Sequence, residues 1–129
     1  MPHFLIDYSA NLEDRLDLPG LLVAIRDAAV ATGVFPLAGI RVRAVRVDHV
    51  LMADGNPDHA YLDVAIRIGA GRDLATKQRA LSAVFAAVEA YVQPVMERSS
   101  LMLSMELREI DEALSKKTSS IRKYLGEAI

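Results

Sequence analysis

The chain contains no cysteine, which removes disulfides, thiolate metal sites and cysteine nucleophiles from consideration and fits the reducing cytoplasm. It also lacks a charge excess. The 15 Lys and Arg against 17 Asp and Glu leave a net charge of −2, with an isoelectric point near 5.9. The basic residues are spread along the chain, so no DNA or RNA partner is expected. Long apolar runs are missing too: stretches such as residues 21–25 fall far below the ~20 residues that a membrane span needs. No basic and then apolar stretch follows Met1, so no secretory leader is expected.

Several chemical signatures are absent as well. His3, His49 and His59 with Asp48, Asp54 and Asp58 form neither an HExxH pattern nor the ordered acidic positions of an EF-hand loop, so they read as turn residues and no metal is expected. Gly69-Ala70-Gly71 lacks the spacing and the Lys-Ser/Thr of a nucleotide-binding loop. Thr118, Ser119 and Ser120 have no Ser-His-Asp logic to connect them.

What is present is a globular balance: 52% apolar and 25% charged residues over 129 positions, the size of one compact domain spanning residues 1–129. A mean hydropathy of +0.21 in so short a chain implies more apolar surface than a monomer covers, because small domains bury a smaller fraction of their surface. Association into an oligomer is the natural remedy.

Residues 3–8 are a β-prone start. Asp17, Pro19 and the apolar positions Leu18, Leu21, Leu22 and Ile25 then predict a capped amphipathic helix that Gly33 closes. Residues 40–47 alternate apolar side chains with Arg41 and Arg43, and the phase slips at Ala44-Val45, which predicts a β-bulge. Residues 54–58 are a turn cluster, and the pattern begins again after it. Residues 61–68 form a strand with Leu62, Val64, Ile66 and Ile68 on one face. A glycine turn ending near Asp73 leads into a long helix with the stripe Leu81, Val84, Phe85, Val88 and Val95, which Pro94 should end or kink. Residues 101–107 alternate as a fourth strand, and residues 111–129 read as a peripheral helix or arm.

The chain is thus β-α-β twice, with halves at about 2–48 and 59–110. Two such halves can share one four-stranded sheet with both helices on one side, an α+β two-layer sandwich. The other sheet face still needs cover, which a second subunit would supply.

Pro2 carries the most chemical information. Removal of Met1 would leave a free secondary amine at the head of a strand, and burial beside positive charge would favour its neutral, basic form. Arg41 and Arg43 share a strand face by parity, and Arg72 lies between a glycine turn and a helix start, where anions are favoured. Such guanidinium groups either clamp carboxylates in a bidentate way or stand as solvated edge arginines. His3 adjoins Pro2. Tyr8, Phe35 and Phe85 read as core or interface side chains.

The string Met1-Pro2-His3-Phe4-Leu5-Ile6-Asp7-Tyr8-Ser9-Ala10-Asn11 resembles the start of 5-carboxymethyl-2-hydroxymuconate isomerases, members of the tautomerase superfamily. Asp17-Leu18-Pro19-Gly20-Leu21, Thr32-Gly33-Val34-Phe35-Pro36-Leu37-Ala38-Gly39-Ile40-Arg41, Met52-Ala53-Asp54-Gly55 and Ile68-Gly69-Ala70-Gly71-Arg72 resemble further segments of that family in order, over roughly residues 2–110. The resemblance implies a tautomerase-like fused pair of β-α-β units, a homotrimer, no metal or organic cofactor, and an amino-terminal proline as general acid-base. The family's substrate is a dienol with three carboxylates, and the implied pathway is homoprotocatechuate degradation in the cytoplasm. On this reading Pro2 moves the proton, Arg41 and Arg72 bind carboxylates and spread enolate charge, and His3, Phe35 and Arg43 contribute to substrate binding. Only the first half begins with a terminal amine, so one base per subunit follows. A related tautomerase acting on another anionic enol or unsaturated acid, and a non-catalytic trimeric binding protein, stay open on sequence alone.

Overall fold

The computed structural model describes residues 2–126; Met1 and residues 127–129, the last three of the expected C-terminal arm, lie outside the described residues. The elements run β1 (His3–Ser9), α1 (Leu18–Ala31), β2 (Arg41–Val47), β3 (Ala60–Gly69), α2 (Leu74–Arg98) and β4 (Leu101–Ile110), with short 3₁₀ turns between and after them. The four strands form one mixed sheet in the order β2-β1-β3-β4. The pairs β1·β2 and β3·β4 are parallel, as a β-α-β crossover requires, and the two halves join through antiparallel β1·β3.

Strand alternation decides what each face carries. Phe4, Ile6 and Tyr8 of β1 and Leu62, Val64, Ile66 and Ile68 of β3 are buried, and they meet Leu21 and Ile25 of α1 and Val84, Val88 and Val92 of α2. Both helices therefore cover one face of the sheet. The opposite face has no helix, and Val45 and Met102 stand there 50% and 62% exposed.

Local chemistry explains the boundaries. The Asp17 side chain accepts a hydrogen bond from the Gly20 N–H at 3.2 Å, with Pro19 in the first turn, which is how a helix start satisfies its free donors. Gly20 lets the Tyr91 hydroxyl and the Asp17 carboxylate approach the helix start, and a methyl group there would displace both side-chain ends. Gly33, at φ 71°, turns the chain out of α1 in the left-handed region that glycine adopts freely. Asp73 caps α2 by accepting from Thr76 N–H at 2.8 Å. The turn before β3 is held by His59, whose ring bonds both the Asp54 carboxylate and the Ser100 hydroxyl at 2.7 Å. The acids and histidines of this segment are turn residues, as the sequence suggests.

One expectation is corrected. β2 carries no bulge, since its register with β1 is unbroken from His3↔Arg41 to Ser9↔Val47. The apparent phase slip arises because β2 is an edge strand: apolar Val45 lies on the helix-free face, and Arg46 reaches solvent on the other. Of the two outcomes expected of Pro94, an end to α2 or a kink in its last turn, the first does not occur: α2 continues to Arg98, with Pro94 inside it. The proline sits on an exposed position, and its carbonyl still accepts from the Arg98 guanidinium at 2.8 Å. Beyond β4, the expected helix or arm is an arm with two 3₁₀ turns, Glu112–Leu114 and Ile121–Tyr124. Among the described residues no helix is long and apolar enough to cross a membrane.

Candidate active site

Pro2 is buried at the head of β1. Its carbonyl accepts from the Arg41 N–H at 3.1 Å, which extends the parallel ladder by one step and fixes the start of the chain against β2. Alternation places Pro2 with Phe4 on the helix-covered face, and His3 with Leu5 on the open one.

His3, Arg41 and Arg67 form one layer of the open face, because His3 is the register partner of Arg41 on one side and of Arg67 on the other. The Arg41 guanidinium donates to His3 Nε2 at 2.8 Å. An imidazole nitrogen that accepts is unprotonated, so the ring proton resides on Nδ1. Nδ1 is buried and has no partner among the described residues, and a buried donor without an acceptor is costly unless a ligand or partner supplies one. Burial, and then the charges of Arg41, Arg67 and Arg43, push the His3 pKa from 6.5 down to about 4.

That depression has a consequence for stability. Between pH 6.5 and about 4 the unfolded chain takes up a proton at His3 that the folded chain refuses, so folding is weakened as pH falls. The contribution is complete above pH 6.5 and drains away toward pH 4. The urea midpoint of the wild type is expected to drop between pH 7.5 and 4.5 by more than that of His3→Gln, which cannot titrate. Equal drops in the two proteins would remove His3 as the cause.

Arg72 and Phe35 meet in a second cluster. The Arg72 guanidinium donates to the carbonyls of Val34 at 3.1 Å and Gly69 at 3.3 Å, and it lies 5.4 Å over the Phe35 ring, a cation–π distance. Phe35 is buried and packs edge-on against Phe4, with ring centres 6.1 Å apart. Arg72 is therefore held on the face to which Pro2 belongs, and Arg41 on the opposite one. Arg43 lies one layer along the open face from Arg41, in register with Leu5.

A cavity of about 730 Å³ opens beside the first layer. His3, Arg41 and Arg67 line one side, and Glu112, Lys116 and Lys117 of the C-terminal arm line the other. Arg43, Phe35 and Arg72 are not among its walls. The sequence reading missed Arg67, although the alternation of β3 contained the signal: with Ile66 and Ile68 inward, Arg67 must face the other way. Its pairing with His3 needed the antiparallel register as well. Lys116 and Lys117 sit in a polar segment without periodicity and gave no signal at all. Among the described residues no group of three or more His, Asp or Glu is placed to hold a metal. The arrangement offers positive charge, an orphan N–H donor and a buried chain start, the parts needed to hold a polyanion while a proton moves.

Known proteins resemble this chain in sequence and in fold. The chain is 40% identical over 121 residues to the 5-carboxymethyl-2-hydroxymuconate Delta-isomerase of Escherichia coli, covering 94% of this chain and 96% of that one. A crystal structure of a 5-carboxymethyl-2-hydroxymuconate isomerase from Deinococcus radiodurans R1 superposes with a TM-score of 0.89 at 32% identity, over 96% of this chain and 93% of that one. Another, of a 5-carboxymethyl-2-hydroxymuconate delta-isomerase, reaches 0.91 at 26% identity over 100% and 95%. More distant structures share the fold alone, among them a fused 4-OT symmetric trimer with a TM-score of 0.62 at 19% identity over 92% of each chain. The two-layer sandwich is the tautomerase fold. The family described as 5-carboxymethyl-2-hydroxymuconate isomerase matches residues 2–125, and the chain belongs to that family of isomerases.

Proposed function

We propose that the protein converts 5-carboxymethyl-2-hydroxymuconate to its 2-oxo-3-ene isomer, with the Pro2 amine, freed by removal of Met1, as the acid-base. The observation that carries this reading is the buried Pro2, whose carbonyl accepts from the backbone N–H of Arg41, a residue that lines the cavity together with Arg67, Lys116 and Lys117. The neutral amine takes the 2-hydroxyl proton. The oxygen's electron pair forms the C2 carbonyl, the C2–C3 double bond moves to C3–C4, and the electron pair of the former C4–C5 double bond takes the proton back from the prolinium at C5. Negative charge develops on the oxygen and on C5, where fixed cations stabilise it without reorganising.

Arg41 and Arg72 are the residues we assign to carboxylate binding and charge stabilisation. A guanidinium has five N–H donors; Arg41 commits one to His3, and Arg72 commits two to backbone carbonyls. His3 contributes to substrate binding by holding the Arg41 guanidinium, Phe35 acts by supporting Arg72, and Arg43 adds charge from the neighbouring layer. No metal or organic cofactor takes part in this scheme. The reaction belongs to homoprotocatechuate degradation in the cytoplasm.

We further propose a homotrimer, in which the helix-free sheet face with Val45 and Met102 is covered by neighbouring subunits; solved proteins of the same fold include symmetric trimers. A monomeric mass by light scattering would overturn it. The reaction itself is tested by ultraviolet loss of 5-carboxymethyl-2-hydroxymuconate, on protein whose intact mass shows Pro2 at the terminus. Rapid loss is expected, and no loss with Pro2 free would reject the substrate.

A further inference from the structure

The cavity holds more positive charge than a proton transfer between an enol oxygen and a carbon calls for. Arg41 and Arg67 rise from the sheet, and Lys116 and Lys117 face them from the arm, against the single carboxylate of Glu112. The excess is three positive charges, which matches a tricarboxylate. Among the described residues neither lysine, nor Arg67, is paired with an acidic side chain.

Two local hydrogen bonds shape the turns of the arm. The Asp111 carboxylate accepts from the Ala113 N–H at 3.0 Å to set the first turn after β4, and the Ser119 hydroxyl accepts from the Ile121 N–H at 3.1 Å to set the second. The segment between these two turns presents both lysines to the cavity, opposite the ends of β1, β2 and β3. The two basic walls come from parts of the chain about 50 residues apart or more, Arg67 on β3 and Lys116 on the arm.

We propose that Lys116 and Lys117, together with Arg67, form a carboxylate subsite that selects tricarboxylate over dicarboxylate enols, and that this is the function of the arm. The proposal rests on the isomerase reading for the identity of the substrate. A 2-hydroxymuconate carries carboxylates at its two ends, and the carboxymethyl branch at C5 adds the third. With one end held near Arg41, the additional carboxylate is the group that the arm would meet.

Calorimetric binding of two unreactive probes tests this without turnover: propane-1,2,3-tricarboxylate and pentanedioate, on the full-length processed protein at low ionic strength. The wild type is expected to bind the tricarboxylate about tenfold more tightly, the effect of two partly screened ion pairs. In K116Q/K117Q that preference should fall to about twofold or less. In E112Q, which removes the cavity's one acid, tricarboxylate binding should instead tighten about threefold. A wild type without preference, a double variant that keeps it, or an E112Q that binds more weakly would each overturn the subsite. Loss of the isomerase reading shows elsewhere, as absent turnover with Pro2 free, and would leave the calorimetric preference standing.

Discussion

Pro2→Ala is expected to lower kcat on 5-carboxymethyl-2-hydroxymuconate by about 10² to 10⁴, the range that a positioned general acid-base supplies. The variant still ends in an amine after Met1 is removed, but a primary amine on a freely rotating residue loses the ring that directs the lone pair. Pro2 is buried, and its carbonyl is tied to the Arg41 N–H, so the ring has one orientation available. A second variant separates basicity from packing. An extra residue before Pro2 that survives processing turns the amine into an amide, which has no basic lone pair at neutral pH, and activity should fall at least as far. The measurement is the single-turnover rate at saturating substrate, with intact mass recorded for each protein. Wild-type turnover in either variant would rule out Pro2 as the base.

Arg41→Gln should reduce kcat/KM by about 10² to 10³, the loss typical of removing one preorganised charge from a developing anion. Its urea midpoint should stay near that of the wild type, because Arg41 is exposed and makes one side-chain hydrogen bond. Arg72→Gln should behave differently. Removing that guanidinium also releases the Val34 and Gly69 carbonyls and the face of Phe35, so a stability loss of about 1–2 kcal/mol, read as a lower urea midpoint, accompanies the loss of activity. Comparing kcat/KM and midpoint in the two variants therefore distinguishes a substrate-binding arginine from one that also supports the fold. Full activity of Arg41→Gln would remove it from the mechanism.

Much of the fold was legible because local rules and the tertiary packing agree. Asp17 with Pro19 and Asp73 before α2 mark helix starts by the same donors they satisfy in the structure. The alternation in β1, β3 and β4 marks which side chains face the helices. Where the reading failed, context outweighed pattern. Val45 and Arg46 look like a slipped phase until β2 is known to be an edge strand with one face free of helices.

The site divides in the same way. Terminal position, strand parity and turn chemistry, which are local properties of neighbouring residues, made Pro2, His3, Arg41 and Arg72 candidates, and the family resemblance gave them roles. Strand order and register decided the rest. They put Arg67 beside His3 in one layer, separated Arg72 with Phe35 from Arg41 across the sheet, and brought Lys116 and Lys117 from an unpatterned arm to face the arginines. Those placements depend on contacts between residues far apart in the chain, and the energy of such contacts resides in the packed sheet and the charges it gathers, not in any short stretch of sequence.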